Sequence, residues 1–342
     1  AGFRYNPLSL SPCKGMGSTE TAMPTTLAAH ERVAFVFPGQ GSQSVGMMNG
    51  YSDLSEIQQT FTEASEALHQ DLWSLVCTGS ADDLNQTVNT QPLMLTAGVA
   101  VYRAWQSLGG SAPTILAGHS LGEYTALVAS EVLGFRDALE LVRFRAQSMQ
   151  QAVPEGVGAM AAILGLEENI IHAVCADITG QAKDEVVEVA NLNSIGQIVI
   201  AGHQHAVQKA ITMMQSHGAK RTIMLPVSIP SHCSLMQPAA NNMQQQLAQK
   251  TLNVPKLPIL HNADVTSHID AASIKGILIQ QLVKPVRWID TIHAFANQGV
   301  THIVECGPGK VLMGLNKRIE PKLQHLSLSD RQSIEQAVNL LQ

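Results

Sequence analysis

Hydrophobic positions in this chain gather into short unbroken runs, set between glycine turns and longer stretches of helical spacing. Val33-Ala34-Phe35-Val36-Phe37 is apolar throughout and stops abruptly at Pro38-Gly39-Gln40-Gly41, the pattern of a strand covered on both faces. Ile115-Leu116-Ala117 opens a second unit of the same kind, followed by a tight turn and a long helical pattern. Strand, glycine turn and helix in succession predict an α/β chain with a mostly parallel central sheet. From Pro154 the order changes. Strands are expected at Ala159–Leu164, Val186–Leu192, Gln197–Ala201 and Arg221–Val227, with helices at Glu167–Ala176 and Gln204–His217 and a turn at Ser194-Ile195-Gly196. That β-α-β-β-α-β succession is ferredoxin-like. Residues 154–227 therefore read as a small subdomain inserted into a large α/β-hydrolase-like one made of 31–153 and 228–342. Short strands such as Thr301–Glu305 and a final amphipathic helix from Asp330 complete the chain.

Residues 1–30 are rich in Ser, Thr, Pro and Gly and lack both hydrophobic periodicity and the apolar centre of a secretory signal. They are expected to be a disordered extension without a folding role, an organellar import signal being the other reading. Taken whole, the 342 residues are 45% hydrophobic and only 14% charged, too apolar and too weakly charged for general disorder. A formal charge of −6 leaves no dominant basic surface, and no apolar run approaches a bilayer span, so neither nucleic acid nor membrane is an expected partner. The five cysteines, an odd number without C-x-x-C spacing, fit neither a disulfide framework nor a zinc site. A reducing compartment follows, with the cytoplasm as the expected location and no metal.

Candidate chemistry centres on Gly118-His119-Ser120-Leu121-Gly122, a G-x-S-x-G sequence between a strand and a helix. The pattern suits a serine lifted on a strained turn, with glycines on both sides because a Cβ there would strike neighbouring backbone. A serine hydroxyl needs a base. Of the thirteen histidines, His232 stands apart because it follows a predicted strand in a loop stiffened by Pro226 and Pro230. On the predicted helix Phe135–Gln151, the positions Phe135, Ala138, Leu139, Val142, Ala146 and Met149 form one buried stripe, and Arg145 falls on its edge. An arginine in an apolar face needs an anionic partner. That partner is either a carboxylate of the protein or one on the substrate. The Pro38–Gln43 loop fails the G-x-G-x-x-G spacing, and Gly307-Pro308-Gly309-Lys310 lacks the span of a P-loop. The first loop can still offer backbone amides to an anion.

Several segments together resemble the malonyl-CoA:acyl carrier protein transacylase family over roughly residues 32–320. They are Phe37–Gln43, Gly118–Tyr124, Arg145 at the family's distance after the serine, Asn193–Gln197, Val227–His232 and Glu305–Leu312. The resemblance implies a ping-pong acyltransferase that supplies extender units for fatty acid synthesis, taking malonyl-CoA and acyl carrier protein as substrates and needing no cofactor. It implies Ser120 as nucleophile and His232 as base. It gives an oxyanion hole from the amides of Gln40 and Leu121, and a main-chain carbonyl at Gln281 that orients the histidine. Because that last contact is backbone, the Gln281 side chain is expected to tolerate replacement. Arg145 would bind the malonyl carboxylate, with His119, Asn193 and Gln40 also lining the substrate site. Lys317 and Arg318, basic residues beyond the glycine turn, are offered as a docking point for the acidic carrier, the other reading being a solvated helix end. Ser231, small where polyketide relatives often carry a bulkier residue, favours malonyl over methylmalonyl.

Two rivals use other residues or none. An α/β-hydrolase would follow the order Ser, Asp, His, drawing on Asp264 or Asp270 with His293 or His302. A carrier-binding scaffold with a dead elbow would require a damaged set, yet Ser120, His232 and Arg145 are all present.

Overall fold

The computed structural model describes residues 31–51, 53–181 and 185–342; the extension expected at 1–30 lies outside them. In chain order the strands are β1 (Val33–Phe37), β2 (Ile115–Gly118), β3 (Gly158–Leu164), β4 (Val187–Ser194), β5 (Gln197–His203), β6 (Arg221–Met224), β7 (Ile259–Leu260), β8 (His302–Glu305) and β9 (Gln324–Ser327). They sort into two sheets.

The larger sheet has the order β7-β2-β1-β8-β9, with every neighbouring pair parallel. β1 occupies its centre, which is why all five of its residues are apolar and buried. The chain passes to β2 on one side of β1 and β8 on the other, so the carboxyl ends of these strands border a crevice of the kind that holds ligands in α/β sheets. The smaller sheet, β4-β5-β3-β6, is antiparallel throughout, the ferredoxin-like order. Helices Glu168–Gln181 and Gln204–Ser216 cover it through a shared core including Ile163, Ile171, Ile178, Ile200 and Val207. A short parallel bridge ties it to the larger part: Leu192 N–H donates to the Val286 carbonyl and Val286 N–H to that of Ala190, both at 2.9 Å.

Two expectations need correction. The helix after Ser120 is not long; it spans Gly122–Ala129, and a new helix starts at Phe135. It ends in a Schellman pair, Val132 N–H to Leu127 C=O and Glu131 N–H to Val128 C=O, with Glu131 at φ +59°. Glycine usually fills that left-handed position, so a glutamate there hides the stop from sequence reading. The strand expected over Arg221–Val227 ends at Met224. β6 is an edge strand paired only to Ala161–Leu164, Pro226 has no N–H to extend the ladder, and Val227 N–H turns back to the Leu225 carbonyl at 2.8 Å. Residues 225–231 are thus a loop leading to His232. No helix among the described residues is long and apolar enough to cross a membrane.

Candidate active site

β2 runs into the elbow at Gly118, and Ser120 sits at φ +50°, a strained conformation for a side-chain-bearing residue. The flanking glycines are required by close approach. A Cβ on Gly118 would lie 1.9 Å from the Gly122 carbonyl carbon, and one on Gly122 would lie 2.0 Å from the Phe37 oxygen. Gly39 packs as tightly, its Cβ position 2.3 Å from His119 O and 3.5 Å from Leu121 N. The loop bearing Gln40 is therefore laid against the Leu121 amide at the amino end of the Gly122–Ala129 helix. Amides at such a place face developing negative charge favourably.

His232, only 3% exposed, also adopts a left-handed conformation, φ +62°. Its Nε2 lies 2.8 Å from Ser120 Oγ and its Nδ1 2.8 Å from the Gln281 main-chain oxygen. A carbonyl can only accept, so Nδ1 carries the hydrogen and Nε2 presents its lone pair to the serine hydroxyl. Burial first, and the Arg145 guanidinium second, push the His232 pKa down to about 3. The base is neutral and ready to accept a proton.

The Phe135–Gln151 helix buries the expected stripe, and Arg145 with it, at 1% exposure. Its Nη1 donates to Gln91 Oε1 at 2.7 Å; its Nη2 donates to Gln281 Oε1 at 3.0 Å and to Ser120 Oγ at 3.2 Å. Its guanidinium carbon lies 5.5 Å from the Tyr124 ring centre, and its buried Nε has no hydrogen-bond partner among the described residues. Among the described residues no carboxylate comes within ion-pairing distance of it. A buried cation held only by neutral oxygens, with an N–H to spare beside a nucleophile, is a site for an anion.

The remaining expected residues fall around this core. His119 Nε2 and Asn193 Oδ1 are 2.7 Å apart, joining the elbow to the small subdomain, and burial lowers the His119 pKa. Gln40 is exposed; its Oε1 accepts from Thr87 Oγ1 at 3.1 Å, and Thr87 Oγ1 accepts from Gln91 Nε2 at 3.0 Å. Lys317 and Arg318 lie exposed in the last turn of the Val311–Ile319 helix, and Arg318 Nη1 donates to Gln197 Oε1 at 2.7 Å.

The Gln281 side chain makes contacts of its own beside the backbone role from which its replacement is expected to be tolerated. Besides receiving Arg145, it donates through Nε2 to the Ser120 carbonyl at 3.0 Å and to Glu123 Oε2 at 2.9 Å. Gln91, Glu123 and Asn262 were not singled out from the sequence, although Glu123 stood within the elbow motif. Asn262 accepts the Ser120 N–H at 2.8 Å and donates to the Gly118 carbonyl at 2.7 Å. Glu123 alone carried a signal, an acid at the start of a largely apolar helix, whereas Gln91 and Asn262 stand beside other polar residues that hide them. The hydrolase partners are engaged elsewhere: His293 with Glu320, His302 with Thr301, Asp264 with His268, and Asp270 capping the Ala271–Val283 helix. Among the described residues no group of three or more His, Cys, Asp or Glu is placed to hold a metal ion.

Residues 34–320 match the acyl transferase domain family. The chain belongs to that family. It is 49% identical over 311 residues to the malonyl CoA-acyl carrier protein transacylase of Escherichia coli (strain K12), an alignment spanning 90% of this chain and 99% of that protein. The solved malonyl CoA-acyl carrier protein transacylase from Coxiella burnetii superposes with a TM-score of 0.89 at 47% identity, covering 91% of this acyl transferase and 98% of that chain. A type II PKS malonyl-transacylase, solved in complex with its acyl-carrier protein, gives 0.88 at 44% identity, covering 90% and 99%.

Proposed function

We propose that this acyl transferase moves the malonyl group of malonyl-CoA to the phosphopantetheine thiol of acyl carrier protein through a malonyl-Ser120 ester, supplying extender units for fatty acid synthesis. The observation that carries the reading is Arg145: a sealed guanidinium 3.2 Å from the serine oxygen, with no acid of its own among the described residues. A thioester whose acyl group ends in a carboxylate supplies the missing anion. The relatives named for this activity, and the solved complex with a carrier protein, support the donor and the acceptor.

In the first half-reaction Ser120 Oγ attacks the thioester carbonyl carbon while its proton passes to His232 Nε2. The tetrahedral oxyanion faces the amides of Gln40 and Leu121. The C–S bond breaks, and the CoA sulfur takes the proton from His232. In the second, the carrier thiol gives its proton to His232, its sulfur attacks the ester, and the Ser120 oxygen departs and is reprotonated. Nucleophile, base and anion holder are all side chains, so this chemistry is complete without a cofactor. His119, Asn193 and Gln40 line the acyl site, and residues 154–227 serve as the small subdomain that brings Asn193 to it. Unpaired cysteines at 77, 175, 233 and 306 are in keeping with the cytoplasm.

Mixing the protein with malonyl-CoA should raise its intact mass by one malonyl group, with digestion locating the ester on Ser120. Adding carrier protein should remove the group and malonylate the carrier. Hydrolysis to malonate at the same rate with and without carrier would instead mark a hydrolase.

The acidic carrier is proposed to dock on Lys317 and Arg318. Reversing both charges should raise the KM for carrier protein several-fold at low salt while leaving the KM for malonyl-CoA in place, and added salt should shrink the difference. An unchanged carrier KM at low salt removes this surface from the docking site.

A further inference from the structure

Glu123 takes no part in the proton transfers, yet it is fully buried one helical turn beyond the nucleophile and receives three hydrogen bonds. Its Oε1 accepts from His261 Nδ1 at 2.6 Å, and its Oε2 accepts from the Asn262 N–H at 3.1 Å and from Gln281 Nε2 at 2.9 Å. Two of those donors belong to the residues that hold Ser120 by its backbone, Asn262 at the N–H and Gln281 at the carbonyl. We propose that Glu123 is the positioning residue that fixes the amide of Gln281 in one orientation, and that this orientation sets the preference of Arg145 for a malonyl group; the inference rests on the malonyl-Ser120 reading above.

A carboxylate only accepts hydrogen bonds. Beside Glu123 and the Ser120 carbonyl, the Gln281 amide must present its NH2, which leaves Oε1 as the one group it can turn toward Arg145. A flipped amide would set oxygen against two oxygens and NH2 against a guanidinium. The orientation also matters for charge. A neutral amide oxygen steadies Nη2 without cancelling the cation, so the positive charge stays available to the substrate.

The loop after β7 carries an independent mark of the same constraint. Val265, β-branched, is held at φ +59°, with its N–H donated to the His261 carbonyl at 2.9 Å. Such a residue stays in the left-handed region only where its surroundings over-determine it. Glu123 grips this loop at its start, through His261 and Asn262. One carboxylate thereby braces the backbone of the nucleophile and the side chain of the anion holder.

The test compares Glu123→Gln and Gln281→Met with the wild-type enzyme, reading kcat and KM separately for malonyl-CoA and acetyl-CoA. Glu123→Gln brings an N–H to a point where three donors converge, and should release the Gln281 amide. Gln281→Met keeps the main-chain carbonyl that orients His232 and loses only the amide. In both, the malonyl over acetyl ratio of kcat/KM should fall by about 10- to 100-fold, the cost of one hydrogen bond to a charged group. The fall should appear chiefly as a higher KM for malonyl-CoA. Parallel losses with both thioesters and an unchanged ratio would overturn the proposal. If Glu123→Gln does not fold, the ratio in Gln281→Met decides alone, by the same two outcomes. The wild-type mass separates this from the broader reading. A wild-type enzyme that takes no malonyl group on Ser120 overturns both, whereas one malonylated with a preference that the variants retain sinks only the role of Glu123.

Discussion

An Arg145→Ala enzyme is expected to lose malonyl transfer while gaining relative activity on acetyl-CoA. In the native site the guanidinium is sealed from water, and among the described residues its hydrogen bonds go to the oxygens of Gln91, Gln281 and Ser120. Leaving one member of a buried charge pair without its partner costs about 2–5 kcal/mol. At about 1.4 kcal/mol per decade, that is roughly a 30- to several-thousand-fold preference for the diacid. Alanine removes the cation, so the malonyl carboxylate would enter a buried niche that turns the oxygens of Gln91 and Gln281 toward it with no positive charge, while acetyl would lose nothing. Competition between the two thioesters measures the ratio directly, and an unaltered preference for malonyl would place the specificity elsewhere. The substitution has a second readout. Arg145 is the second cause, after burial, of the low pKa of His232. Its removal should raise that pKa and carry the acid limb of acetyl transfer to higher pH.

His232→Ala should lower the rate of Ser120 acylation by about 10²- to 10⁴-fold, the range for a positioned general base. The wild-type rate should show no histidine inflection near pH 6.5, because the folded enzyme keeps this imidazole neutral down to about 3. Stability follows the opposite side of the same linkage. Above pH 6.5 the imidazole is neutral whether the chain is folded or not. Below that value the unfolded chain binds a proton that the native site refuses, so native stability declines as pH falls toward 3. The slope is at most about 1.4 kcal/mol per pH unit for this one group. Denaturant melts at pH 6.5 and pH 5 should therefore show the variant losing about 1–2 kcal/mol less than wild type over that interval, because the unfolded imidazole is already half protonated at the upper pH. Equal losses would mean that the imidazole already takes up a proton in the folded state.

Much of this was legible in the sequence because it was local. β1 reads directly from five apolar residues, and the elbow from two glycines whose missing Cβ atoms are demanded by contacts of 1.9 and 2.0 Å. The helix of Arg145 reads from its stripe. His232 was harder, since nothing in its neighbourhood states that the loop ends beside Ser120; only the stiffening prolines and the family resemblance pointed there. The layer behind these groups was illegible for a physical reason. Gln91, Glu123, Asn262 and the Gln281 side chain act by hydrogen bonds to residues 54, 138, 144 and 136 positions away. Periodicity reports which face of an element is buried, not which polar atom another element will bring to it. For the Gln281 side chain the same division holds: its backbone role is visible through the family, its amide contacts only in three dimensions.

The nucleophile also has a place in time. Ser120 is synthesised ahead of its supports: its N–H is held by a residue 142 positions later and its carbonyl by one 161 positions later. The base, 112 positions downstream, arrives before either of them. A nascent or partly unfolded chain therefore carries an ordinary, unreactive hydroxyl at this point. Reactivity is acquired only when the segments bearing His232, Asn262 and Gln281 have docked, so a chain that has yet to fold them in does not capture acyl groups from the thioester pool that the finished enzyme consumes.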